Sequence, residues 1–67
     1  MKWRATLEAP TLRRFEIKQD PVVGFYLYVF EGDECIHDHL QDTLEMAMEC
    51  AWEGYGVSKN AWRKTEE

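Results

Sequence analysis

Side chains of metal-ligand and nucleophile type concentrate in one place, Cys35-Ile36-His37-Asp38-His39. On an extended backbone side chains alternate sides, so Cys35, His37 and His39 are expected on one face, about 6.6 Å apart in succession. Two neighbours at that spacing can share a zinc ion at roughly 2.0–2.3 Å from each ligand. A third ligand from the same straight strand reaches poorly, so an Asp or Glu from elsewhere is needed. The chain has no Cys-x-x-Cys pair and no His-x-x-x-His to supply a second cluster. The plainer reading is a solvated strand end whose imidazoles titrate, hydrogen-bond or join an interface. No metal and no cofactor are expected.

The remaining reactive types are no better placed. Cys50 falls on the flank of a helical stretch, away from its positive N-terminal end, and reads as a small buried hydrophobe rather than an activated thiol. Cys35 has His37 on its expected face, but nucleophilic catalysis needs a base within about 3 Å and a third group to orient it. Glu45, Glu49 and Glu53 repeat at i, i+4 and i+8. Like charges at that spacing repel, so the row does not serve helix stability. It reads as a solvated face or a stripe for a basic partner. No catalytic residue is assigned, and a non-catalytic role is expected.

The run Val22-Val23-Gly24-Phe25-Tyr26-Leu27-Tyr28-Val29-Phe30 carries more information. As a strand it is apolar or aromatic on both sides: Phe25, Leu27 and Val29 on one, Tyr26, Tyr28 and Phe30 on the other. The aliphatic set joins Phe15, Ile17 and Ile36 as a core. The aromatic set is expected beside Arg14, Lys18, His37 and His39, and Tyr26, Tyr28, Phe30, Arg14 and His37 form the candidate interaction surface. A one-residue slip in register would exchange the two sets. Trp3, Leu7, Trp62, another subunit or another protein are the candidates to cover the aromatic side.

These residues need elements to hold them. Lys2–Glu8 alternates Trp3, Ala5 and Leu7 against polar positions and predicts a strand ended at Ala9-Pro10-Thr11. A second strand covers Leu12–Lys18, and Gln19-Asp20-Pro21 has turn chemistry. A third runs Gly24–Glu31, Gly32-Asp33 makes a tight hairpin, and Cys35–Leu40 returns as the fourth. Asp42 with Glu45 forms a capping-box variant opening a helix from Thr43 to Tyr55. Its stripe is Leu44, Ala47, Met48, Ala51 and Tyr55, with Met46 on the polar side. Gly56 suits the left-handed position that ends it, with Val57 closing back on Trp52. Ser58 caps a last turn that lays Trp62 on the body, and Lys64–Glu67 is expected to fray.

The totals bound these readings. Sixty-seven residues, 45% hydrophobic with three each of Trp, Tyr and Phe, make one small folded domain. The nine-residue apolar run is far below the roughly 20 residues a membrane-spanning helix needs. The Met-Lys-Trp-Arg start lacks the apolar stretch of a secretory signal. Two cysteines without such a signal point to free thiols in a reducing, cytoplasmic setting, with a Cys35–Cys50 bridge only in an oxidising one. Residues 1–30 carry five basic and three acidic side chains, while residues 31–67 carry three and ten. A net charge of −5 argues against nucleic-acid binding, which depends on basic charge, although the asymmetry suits an oriented partner.

Thr43-Leu44-Glu45-Met46-Ala47, followed by Tyr55-Gly56-Val57 and then Trp62, is similar to small bacterial proteins without an assigned activity. In those proteins a few strands precede a T-L-E-x-A helix ending in Y-G-V. The same helix start after a meander of strands resembles antitoxins of the HicB type. That resemblance implies a protein that binds a toxin protein and dimerises, and it transfers no site residue.

The expected fold is α+β: an antiparallel meander of three or four strands with one long helix packed on one face. The expected function is a protein–protein interaction module, homodimeric through the Tyr26/Tyr28/Phe30 face or an edge strand. The alternative is single-stranded nucleic acid stacked on that face.

Overall fold

The meander is set by its turns. The computed structural model describes residues 1–8 and 11–65. The Ala9-Pro10 break and the terminal Glu66-Glu67 of the expected frayed tail lie outside the described residues. Strands β1 (Lys2–Leu7), β2 (Arg13–Asp20), β3 (Gly24–Glu31) and β4 (Glu34–Gln41) follow in chain order, then helix α1 (Leu44–Tyr55), a 3-10 turn (Lys59–Ala61) and strand β5 (Arg63–Thr65). Between β2 and β3, Asp20 Oδ1 accepts from the N–H groups of Val22 and Val23 at 2.9 and 3.1 Å. Those two donors hold the Asp20 carboxyl below its ordinary pKa. Gly24 then adopts φ 129°, and a Cβ there would meet the Gln41 carbonyl oxygen at 2.5 Å. Only glycine fits both the backbone and the space.

The five strands form one antiparallel sheet in the order β4-β3-β2-β1-β5. The fold is thus α+β with the expected meander, extended by β5, which pairs Arg63–Thr65 with Arg4–Lys2. The expected fraying at Lys64 is therefore corrected. The missed strand has three residues and no apolar alternation, and the Thr65 hydroxyl helps fasten it by donating to the Lys2 carbonyl at 3.2 Å.

Helix α1 packs on the aliphatic face. Phe15, Ile17, Leu27 and Val29 are fully buried beneath Ala47 and Ala51, whose small side chains let the helix approach closely. Leu44, Met48 and Tyr55 pack around them, so the predicted stripe is the contact stripe, and Met46 is exposed as expected. The N-cap is Thr43, whose hydroxyl accepts from the Met46 N–H at 3.1 Å. This corrects the Asp42–Glu45 capping box by one residue, although Glu45 still lies in the first turn, where helix polarity favours an acid. Gly56 closes the helix at φ 79°, donating to the Trp52 carbonyl at 2.9 Å. Val57 donates to the Ala51 carbonyl and is fully buried in the core, while Trp52 is 55% exposed. No helix among the described residues is long and apolar enough to cross a membrane.

Candidate interaction face of the sheet

Antiparallel register carries the chemistry of each strand across the sheet. Lys18 pairs with Tyr26, Glu16 with Tyr28, and Arg14 with Phe30. Lys2, Arg4 and Thr6 pair with Lys18, Glu16 and Arg14 in turn, and Arg63 pairs with Arg4. On the other flank Leu40 and Asp38 pair with Tyr26 and Tyr28, and Cys35 with Phe30. Directly paired residues share a side, so all of these lie on the face away from α1. Trp3 and Leu7, with Trp62, instead pack against the helix-side core. The three side chains expected to compete for the aromatic face are engaged elsewhere, and no element among the described residues covers it.

On this open face the rings form a ladder along β3. Tyr26 and Tyr28 stack at 5.8 Å between centroids, and Tyr28 and Phe30 follow at 6.4 Å. The Arg14 guanidinium lies 4.5 Å from the Phe30 ring centre, within cation–π range. Partial burial, then Tyr26 and Asp38 nearby, pushes the Tyr28 hydroxyl above its ordinary pKa. Beside the ladder sits Glu16, a buried carboxylate reached by Arg14 at 3.1 Å and by Lys2 and Arg4 at 3.5 Å each. Among the paired residues the face holds five cations, Lys2, Arg4, Arg14, Lys18 and Arg63, against the three carboxylates Glu16, Asp20 and Asp38. Two depressions open at its basic side. One, of about 280 Å³, is lined by Met1, Lys2, Lys18 and Gln19; the other, of about 400 Å³, has Arg4 and Arg63 among its walls.

Four of the five predicted surface residues, Tyr26, Tyr28, Phe30 and Arg14, share this face. His37 does not, and neither does His39. A bulge between Val29 and Phe30 shifts the β3–β4 register, so His37 and His39 pair with Val29 and Leu27 on the helix side. There His39 Nε2 shares a hydrogen bond with the Tyr55 hydroxyl at 3.0 Å, and the His37 ring lies 6.1 Å from the Tyr55 ring. Ile36, the extra residue, packs on the core as expected. An added residue reverses the side on which the strand's later residues point, which alternation alone does not reveal.

The bulge also dissolves the expected ligand row, leaving Cys35 across the sheet from both imidazoles. Among the described residues no three His, Cys, Asp or Glu side chains come together as a metal set. Cys35 donates to the His37 carbonyl at 3.5 Å, and both cysteines are free thiols. Burial, and after it Glu53, pushes the Cys50 thiol above its ordinary pKa, the opposite of nucleophile activation.

Sequence reasoning did not place Lys2, Arg4 and Arg63 at this site. The first two were legible as the polar partners of Trp3 and Ala5. Arg63 depended on the unpredicted β5. Comparison with protein-family models, curated proteins and solved structures returned no match. The fold and the face together define a small α+β protein with a one-sided antiparallel sheet and an open aromatic, basic surface.

Proposed function

We propose that this chain is a non-catalytic interaction module that holds an anionic partner against its open sheet face. The observation that carries this reading is the coincidence, on the one side α1 leaves bare, of the Tyr26/Tyr28/Phe30 ladder with five cations. Aromatic and arginine side chains dominate binding hot spots because they give large contact area at low entropy cost. The separation of the thiols and imidazoles, and the raised Cys50 pKa, favour binding over catalysis.

Retention on immobilised heparin at low ionic strength and pH 7 tests the reading. A chain of net charge −5 whose charges were evenly spread would flow through. The expected result is retention of the wild type and loss of retention in Lys18→Glu with Arg63→Glu. Flow-through of the wild type would overturn it.

A homodimer remains a second reading, and the charges select its route. Two copies meeting through the open face would bring together two surfaces that each carry five cations and three carboxylates, an excess of like charge. The eight-residue strand β4, whose outer edge has no partner strand among the described residues, is the better self-pairing surface. Sedimentation at high micromolar concentration decides it: a dimer sustains the reading, and a monomer ends it.

A further inference from the structure

We infer that the anionic partner is single-stranded nucleic acid, its bases on the Tyr26–Tyr28–Phe30 ladder and its phosphates along the cations of β2, β1 and β5; the inference rests on the open-face reading above. The first argument is lateral order. All five cations lie to one side of the ladder, where Glu16 and Asp20 also stand, with Leu40, Asp38 and Cys35 on the other. A polynucleotide strand has the same organisation, a track of flat bases beside a parallel track of phosphates. Ring positions two residues apart repeat at about 6.6 Å, so the ladder offers successive stacking positions along one direction. Two depressions border this track, one with Lys2 and Lys18 in its walls, the other at the β1 edge with Arg4 and Arg63 beside Ala5, Thr6, Ala61 and Thr65.

The second argument separates nucleic acid from an acidic polypeptide. An extended peptide gains affinity by adding main-chain hydrogen bonds at a strand edge. Over the ladder those backbone groups are already used, because β3 is paired on both sides. Bases need only a ring surface, and they must be unpaired to present one, which excludes a duplex.

Net charge is no obstacle once it is placed in space. Glu45, Glu49 and Glu53 point away from the helix's core stripe, and α1 itself lies beyond the sheet. A helix is about 10 Å across, while screening at physiological salt acts over roughly 8 Å. The open face therefore presents its own charges, five cations against Glu16, Asp20 and Asp38, an excess of positive charge. Glu16 holds Lys2, Arg4 and Arg14 in position, at the cost of part of their charge.

The test is fluorescence anisotropy with a fluorescein-labelled oligodeoxythymidine of about ten nucleotides, a length such faces accommodate. Affinity is expected to fall with salt, with a log–log slope of about −0.7 for each phosphate neutralised. Lys18→Gln with Arg63→Gln should shallow that slope by about 1.4. Tyr26→Leu with Tyr28→Leu should weaken binding at least about fivefold per ring, leaving the slope unchanged. Urea midpoints of each variant report whether it folds. Amide chemical shifts of the wild type on adding the same oligonucleotide supply a readout that needs no variant, and they should move in β2 and β3 rather than α1. Absence of binding at low salt, indifference to ring removal, or equal affinity for an oligoglutamate of matched charge would each overturn the inference. Any of these alongside heparin retention leaves the open-face reading standing, whereas loss of retention as well ends both.

Discussion

The two faces of this sheet are cut from the same strands, residue by residue in alternation, yet they solve opposite problems. Beneath α1, Phe15, Ile17, Leu27 and Val29 have no solvent exposure, and their contribution is burial. Across the sheet, Tyr26, Tyr28 and Phe30 keep partial exposure among arginines and lysines, and what they contribute is surface. The contrast teaches that a chain of this size can close one core only. Trp3, Leu7 and Trp62 are drafted to that single core, while Leu40 stays half exposed beside Tyr26 on the bare side. Aromatic side chains with polar neighbours are then tolerated on the bare side, because hydroxyls, guanidinium stacking and cross-strand pairing offset their exposure.

Breaking the covered face should have the largest effect. Phe15→Ala is expected to cost about 3–5 kcal/mol, comparable to the whole stability of roughly 3–10 kcal/mol that a domain this short commands. Tyr28→Ala, one position from the core residues Leu27 and Val29 and facing the other way, should cost no more than about 1 kcal/mol. Urea denaturation of both variants checks the pair, and equal losses would show that something covers the open face.

Glu16 sharpens the contrast at intermediate size. Its carboxylate is the one buried charge among the described residues, and it gathers three cations. Glu16→Gln should lower stability by about 1–2 kcal/mol through lost charge-assisted hydrogen bonds. The same substitution adds one unit of positive charge to the face and should delay elution from heparin. Lower stability with earlier elution would mean that Glu16 organises the face rather than tempering it.

Two smaller effects concern a helix cap and a turn, away from both the core and the aromatic ladder, and serve as controls. Thr43→Ala should cost about 1 kcal/mol by removing the N-cap, with Asp42→Ala costing less, and thermal denaturation distinguishes them. Asp20 has a folded-state pKa depressed by the Val22 and Val23 N–H groups. A depressed folded value adds stability that is fully present above the unfolded value and lost as pH falls through the folded one. The gap in urea midpoint between wild type and Asp20→Ala should therefore close as the pH drops below the ordinary value of 3.8. A gap that persisted unchanged to the acid side would mean that the turn does not depend on the ionised carboxylate.

Much of the fold was legible because local patterns were strong. The limits of β3 at Gly24 and Glu31, the α1 stripe and the Gly56 stop each follow from side-chain period or from glycine geometry. The cap was misread by one residue because Asp42 and Thr43 are both good caps, and the choice depends on where the chain leaves β4. The candidate site was legible as an aromatic ladder beside Arg14, and illegible where it depended on His37. A bulge at Ile36 is a tertiary compromise, in which an isoleucine reaches the core at the expense of strand alternation.

The residue order by itself determined which side chains alternate with which, and hence that β3 would be greasy on both sides and that acid would accumulate after residue 31. Folding alone decided which side α1 covers, how β4 slips past β3, and that three residues near the end would close the sheet beside β1. Those choices rest on contacts between residues far apart in the chain, where burial of a shared core outweighs any local preference. They also turned a charge asymmetry along the chain into one across the molecule, with cations on the bare sheet and carboxylates on the outer side of the helix.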